Sequence, residues 1–283
     1  MHPEDEPKDP SHVPEAEVVP GDEEGGVYGL DILEMDADGM LDDGPRTVLI
    51  TGAAGNIGKK LRAAWEDTYD LVLLDLDENP DDSNVVIADL SEWEHDWVEY
   101  FHGVDTVIHL AANPNEFASW EDLQKPNLDA LANVLMASAL GGVERVIFAS
   151  SNHAMGDYKD KGDTPITEDL PPLPDSPYGA TKLMAERLGR SVAHAFEFSF
   201  IALRLGWNQH APNLPDTLPN DWAKKHWLSD RDLVQLFECA VEADLGDEHF
   251  LVVNGMSNNK NSRWDQTIAS ERLGFHPEDD CGA

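Results

Sequence analysis

From residue 46 almost to the end of the chain, short apolar runs alternate with longer segments in which apolar residues recur every three or four positions. Thr47-Val-Leu-Ile50 has the length and composition of a buried parallel strand, and so do Leu71–Asp75, Val85–Asp89, Val104–Leu110, Val143–Ser151 and Phe198–Arg204. Between them the helical period predicts one helix with Ile57, Leu61 and Trp65 on a single face, and others near 92–101, 119–140 and 177–196. Strands alternating with helices of this length imply right-handed crossovers, and hence an α/β fold with a doubly wound parallel sheet. After Arg204 the chain is loop-rich to about residue 226, with prolines at 212, 215 and 219. A helix at 229–243, a short strand Phe250–Asn254 and a last helix near 264–273 follow. The 79 residues from 205 to 283 are therefore expected to form a small C-terminal cap on a core of residues 46–204, within a single domain of residues 46–283.

Residues 1–45 break this pattern. They are rich in Asp, Glu, Pro and Gly, hold Lys8 as their only Lys or Arg, and lack periodicity, so a disordered acidic extension is expected. A translation start at Met35 or Met40 is the plainer alternative to a functional acidic arm. Acid also dominates the rest: 56 Asp and Glu stand against 19 Lys and Arg, for a formal charge of -37. That excludes nucleic acid and anionic membrane as partners, since both need a positive footprint. Acid spread along the whole chain points to high-salt adaptation, where carboxylates hold water and screening removes their mutual repulsion. No run of 18 apolar residues exists, and Met1-His-Pro-Glu-Asp-Glu lacks the basic and apolar parts of a secretory signal. Cys239 and Cys281 build neither a disulfide framework nor a zinc site, no metal is expected, and the expected location is cytoplasmic.

Three stretches carry chemistry. Gly52, Gly55 and Gly58 follow the first strand and open the first helix, spaced G-x-x-G-x-x-G. The first permits a tight turn, the second a close approach of pyrophosphate, and the third close packing of helix on strand, with helix amides facing the phosphates. A glycine triplet by itself fits a plain tight turn nearly as well. Asp75 ends the second strand, 17 residues after Gly58, where a carboxylate binds ribose hydroxyls and repels a 2′-phosphate, favouring NAD over NADP. Asp89, at the end of the third strand, is placed to meet the adenine amine. In Tyr178-Gly-Ala-Thr-Lys182 the two ends lie four apart on one helical face, so the ammonium can stabilise a phenolate. Ser151, at the end of the fifth strand, offers a hydroxyl where α/β sheets place their ligands.

In this order the motifs resemble the extended branch of the short-chain dehydrogenase/reductase superfamily, which is Rossmann-type. The resemblance runs from Thr51-Gly-Ala-Ala-Gly-Asn-Ile-Gly58 through His109-Leu-Ala-Ala112 and Asn127 to Ser151, Tyr178 and Lys182. It implies that Asn56, Ile57, Leu90, Leu110, Ala111, Ala112 and Asn127 join the glycines, Asp75, Asp89, Tyr178 and Lys182 around NAD. Ser150-Ser-Asn-His-Ala-Met-Gly156, His226-Trp-Leu-Ser229 and Asn254-Gly-Met-Ser-Asn258 are similar to uronate dehydrogenases and haloarchaeal NAD-dependent glucose-6-phosphate dehydrogenases. That similarity implies oxidation of a cyclic sugar at C1 to a lactone, with Tyr178 as base, Ser151 on the reacting oxygen, and Lys182 lowering the tyrosine pKa. Asn152 and His153 would touch sugar hydroxyls, although His153 serves equally well as a structural hydrogen-bonder. Two departures stand out. Trp207 occupies the place of a small serine, and no arginine lies between Arg204 and Arg231, which leaves Lys224 and Lys225 as the loop's cations for a sugar acid or phosphate. A nucleotide-sugar epimerase or dehydratase shares the Ser/Tyr/Lys set but usually has a longer C-terminal lobe; a non-catalytic dinucleotide sensor would typically lack the tyrosine or lysine. Relatives often dimerise through the helices at 119–140 and 177–196, which makes a homodimer possible here.

Overall fold

The computed structural model describes residues 44–77 and 84–282; except for its last two residues, the expected acidic extension lies outside the described residues. Seven strands form one parallel sheet in the order β3-β2-β1-β4-β5-β6-β7. They are β1 (Thr47–Thr51), β2 (Asp70–Asp75), β3 (Val85–Ile87), β4 (Thr106–His109), β5 (Arg145–Ser151), β6 (Ser199–Leu205) and β7 (Phe250–Gly255). The order reverses between β1 and β4, the switch point at which such sheets open a crevice beyond their C-terminal ends. The doubly wound sheet read from the apolar pattern is therefore present, as is the strand expected at 250–254.

Alternate strand residues go to opposite faces. Val48 and Ile50 pack with Leu61 and Trp65 of helix α1 (Asn56–Trp65) and with Leu233, Leu236 and Phe237 of α7 (Asp230–Glu242). Leu49 packs on the other face with Trp97, Phe101 and residues of α4 (Ala130–Gly141) and α5 (Pro177–Phe196). Full burial on both faces is why these strands read as continuous apolar runs.

Several expected elements are shorter or broken. The third strand stops at Ile87, opposite Asp75, where its one neighbour β2 ends, so Asp89 lies two residues beyond its end. The helix expected near 92–101 is one turn of α2 (His95–Val98) followed by a 3-10 turn, Glu99–Phe101. The segment 119–140 stays helical but divides into α3 (Trp120–Gln124), a π turn Lys125–Asp129 and α4. Pro126 has no N–H to donate, and the wide turn closes instead from the Ala130 amide to the Lys125 carbonyl. In the cap, the stretch read as loop contains α6 (Asp221–Lys225), which Asn220 caps by accepting from the Ala223 amide. The last helix shrinks to a π turn, Ala269–Leu273, ended by Gly274 at φ 73°.

Candidate active site

The glycine turn closes the C-terminal end of β1. Gly52 sits at φ 70°, and a Cβ there would lie 2.8 Å from the Ala111 amide nitrogen, so the turn can nest against the strand next to it only without a side chain. A Cβ on Gly58 would meet the Gly52 carbonyl at 2.5 Å, which is the close helix packing expected of it. Gly55 donates its N–H to the Gly52 carbonyl (3.0 Å) and opens α1 with no side-chain cap, leaving first-turn amides for an anion. This cradle fits the diphosphate of a dinucleotide. Asp75 stands at the end of β2, and its Oδ2 accepts from the Ala54 amide of the turn (2.8 Å). It therefore braces the glycine turn as well as facing the expected ribose.

The other expected cofactor positions fall into two groups. Leu110, Ala111 and Ala112 follow β4 at the sheet's C-terminal edge, half-buried beside the turn, and Asn127 is buried at the π turn. Asn127 accepts from the Asn113 amide (2.8 Å) and donates to the Asn113 carbonyl and Thr181 Oγ1 (both 3.2 Å), joining the loop after β4 to α5. Leu90 is buried, whereas Asp89 is exposed and binds the Ser91 amide and hydroxyl. Asn56 turns away from the cradle to donate to the Asn208 and Gln209 carbonyls, and Ile57 packs into the core.

The three expected catalytic residues meet between the end of β5 and the first turns of α5. Ser151 accepts from the His153 amide (3.2 Å) and caps a 3-10 turn, Asn152–Asp160, while its hydroxyl donates to Asn152 Oδ1 (3.3 Å). Ser176 caps α5, Pro177 pre-sets its first turn, and Gly179 lets the helix approach the His153 carbonyl, which a Cβ would meet at 2.3 Å. Lys182 is buried, donates to the Ala149 carbonyl (2.8 Å), and holds Nζ 5.6 Å from the centre of the Tyr178 ring. Burial pulls the pKa of Lys182 down to about 7. Burial likewise pushes Tyr178 up to about 12, with the Ser151 hydroxyl opposing and the charge of Glu116 adding to the rise. Lys182 thus lies on the expected helix face, but in this structure burial, not the ammonium, sets the tyrosine's proton affinity.

Behind the trio lies a buried ion pair that sequence spacing did not single out. Glu186 continues the Tyr178–Lys182 face of α5 by one more turn. It accepts from Arg204 Nε (2.9 Å) and Nη2 (2.8 Å) of β6 and from Ser150 Oγ (2.7 Å) of β5. The only sequence signal is an acid four residues beyond the lysine.

His153 is held at Nδ1 by Asp175 (2.8 Å) and lies 3.5 Å through Nε2 from Glu116, with its ring edge-on to Tyr178 at 5.7 Å. Burial alone would lower its pKa, but the hydrogen bond and charge of Asp175 and the charge of Glu116 outweigh burial and raise it. Neither acid was legible as a site residue among so many others. Trp207, directly after β6, stacks on His226 (centroids 6.4 Å, 18°), and Trp222 closes on the same imidazole at 5.3 Å. Burial holds His226 neutral, with a pKa near 4. Lys224 and Lys225 lie half-buried in the last turn of α6 and form no ion pair among the described residues. The segment after β6 is fastened to α1: Lys60 donates to Asn208 Oδ1 (2.7 Å), the Gln209 carbonyl (2.8 Å) and Asp230 Oδ1 (2.8 Å).

Comparison with known proteins agrees with this geometry. The chain is 33% identical over 253 residues to the NAD-dependent glucose-6-phosphate dehydrogenase of Haloferax volcanii, covering 82% of this chain and 93% of that protein. It is 32% identical over 248 residues to the L-arabinose 1-dehydrogenase (NAD(P)(+)) of the same organism, covering 82% and 96%. The crystal structure of uronate dehydrogenase from Agrobacterium tumefaciens superposes with a TM-score of 0.71 at 30% identity, over 83% of this chain and 85% of that one. The profile of the NAD dependent epimerase/dehydratase family matches residues 48–209, and this chain belongs to that family.

Proposed function

We propose that the protein is an NAD-dependent sugar dehydrogenase that oxidises C1 of a cyclic uronate, sugar phosphate or aldose to the lactone. The observation that carries this reading is the convergence of Ser151, Tyr178 and Lys182 at the C-terminal end of the strands, the same end of the sheet as the glycine turn. NAD, when bound, supplies the hydride acceptor. Gly52, Gly55, Gly58 and the first turn of α1 would hold its diphosphate, and Asp75 its adenosine ribose. Ser151 orients the C1 hydroxyl by hydrogen bonding, and Tyr178 Oη takes its proton. Lys182, whose Nζ donates to the Ala149 carbonyl below the Tyr178 ring, would hold the nicotinamide ribose. Asn152 and His153 line the sugar side. Lys224 and Lys225 are the cap cations available to a charged sugar.

The supporting assay is NADH formation with NAD and a panel of uronates, sugar phosphates and neutral aldoses. Tightly retained NAD, no net NADH and interconversion of a nucleotide sugar would overturn this reading in favour of an epimerase. We further infer a cytoplasmic enzyme adapted to molar salt, in keeping with the net charge of -37 and a content of two cysteines in 283 residues. Among the described residues no helix is long and apolar enough to cross a membrane. A homodimer through α4 and α5 accords with the exposed Met136, Leu140 and Met184 on those helices.

A further inference from the structure

Three groups at the sugar side of the site combine in a way that the uronate pattern does not anticipate. The first is Glu116. Its carboxylate lies 3.5 Å from His153 Nε2, is 44% exposed, and acts electrostatically on the Tyr178 hydroxyl. The loop that carries it is fixed: Asn113 Oδ1 accepts from the Asn115 amide (3.1 Å), Asn115 Oδ1 from the Phe117 amide (3.0 Å), and Asn127 holds Asn113. The second group is the His153–Asp175 pair. With Glu116 it places one imidazole between two carboxylates, an acidic cluster whose ring lies edge-on to Tyr178. The third is Trp207. Its indole is 40% exposed, is held from behind by the neutral His226, and follows β6 one strand over from Ser151.

The acidic cluster and Trp207 are linked through His226, which carries the indole and feels the charges of His153 and Asp175, and a carboxylate and a half-exposed indole on one site suit a neutral sugar. Carboxylate oxygens accept strong hydrogen bonds from hydroxyls, while the aromatic face covers the C–H side of a pyranose. The same pair disfavours a uronate or phosphate, whose charge would face Glu116 and Asp175 without an arginine to offset them. We propose that the substrate is an uncharged aldopyranose, its hydroxyls held by Glu116 and His153 and its C–H face by Trp207. This rests on the sugar-dehydrogenase reading above and narrows it; Lys224 and Lys225 then take no part in binding the substrate.

The test compares kcat/KM for glucose, galactose, arabinose and xylose with that for glucuronate, galacturonate and glucose 6-phosphate, in wild type and in Glu116→Gln. Wild type should favour the neutral sugars. Glu116→Gln should raise KM for them about tenfold by removing a charge-assisted acceptor, and should raise the relative rate with anionic sugars. Trp207→Ala should raise KM for neutral sugars with NAD affinity unchanged, and Trp207→Phe should recover much of the loss. Preference for an anionic sugar, or a neutral-to-anionic ratio that Glu116→Gln leaves alone, would overturn this proposal while the dehydrogenase reading stands. Silence across every sugar would overturn both.

Discussion

The buried pair between Glu186 and Arg204 gives the sharpest stability test. Both side chains are almost wholly excluded from water, and two parallel hydrogen bonds join them. Glu186→Gln keeps the shape and one carbonyl acceptor but leaves the guanidinium as an uncompensated buried charge, whose Nη1 already lacks a hydrogen-bond partner. Breaking such a pair from one side costs about 3–5 kcal/mol. At about 2–4 °C per kcal/mol for a chain of this size, the melting temperature should fall by about 6–20 °C. Urea unfolding at fixed KCl, checked by calorimetry, measures the loss. Because the pair is buried, the loss should be the same in dilute and molar KCl, whereas exposed pairs are screened within about 3 Å at molar salt.

The companion variant Glu186→Gln/Arg204→Met removes the charge altogether and should regain most of the stability, since apolar replacements of buried pairs are often neutral. A single-variant loss below about 1 kcal/mol would place the pair with ordinary surface bridges and refute the reasoning. So would a double variant no more stable than the single one. Since Ser150 bonds the same carboxylate and precedes Ser151, kcat should fall in the single variant even at temperatures where it is folded.

Tyr178→Phe should bind NAD normally and lose about 10²–10⁴-fold in kcat, read by steady-state rates and equilibrium titration; near-normal turnover would remove Tyr178 as the base. Asp75→Ala should lower the NAD-to-NADP ratio of kcat/KM about tenfold, or about 1.4 kcal/mol. The ratio, rather than total activity, is the measure, because Asp75 also braces the Ala54 amide. For the His153–Asp175 pair the pH signs are opposite. His153 has a raised folded pKa, so its contribution is complete below its ordinary value of 6.5 and is lost as pH rises through the folded value. For Asp175, burial is outweighed by its bonds to His153 and Ser176, so its pKa falls below 3.8, and its contribution is lost as pH drops through that lower value. Wild type should therefore exceed Asp175→Asn in melting temperature most between about pH 4 and 6.5. A difference that stays flat into the alkaline range would show that charge plays no part.

The sequence made the sheet legible because each core strand is buried on two faces and so reads as an unbroken apolar run. Edges were less legible. Val85-Val-Ile-Ala-Asp89 has the composition of a strand throughout, yet its partner β2 ends at Asp75, opposite Ile87, and the pairing ends with it. The helix interruption at Pro126 follows from a missing donor, but periodicity alone carried the helix through it. In the site, fixed spacing exposed what backbone geometry demands: Gly52 and Gly58 are forced by contacts under 3 Å, and Tyr178 and Lys182 by one helical turn. Groups that reach the site from separate loops gave no such spacing. Glu116, Asp175 and Glu186 are three acids in a chain of 56, and only three-dimensional contact distinguishes them.

That contrast has a physical root in how a strongly acidic chain places its few cations. Arg204 neutralises Glu186 on the Tyr178–Lys182 face of α5, and Lys182 reaches the Ala149 carbonyl beneath the tyrosine. Arg145 binds the carbonyls that end α7, and Lys60 binds the Gln209 carbonyl. Arg204 and Lys182 lie behind Tyr178, Lys60 joins the segment after β6 to α1, and Arg145 fastens the opposite, N-terminal end of β5 to the end of α7. The interior cations therefore report on how the elements of the fold are joined. High salt can relax repulsion among exposed carboxylates without loosening these contacts, because screening acts through water that the buried groups do not touch.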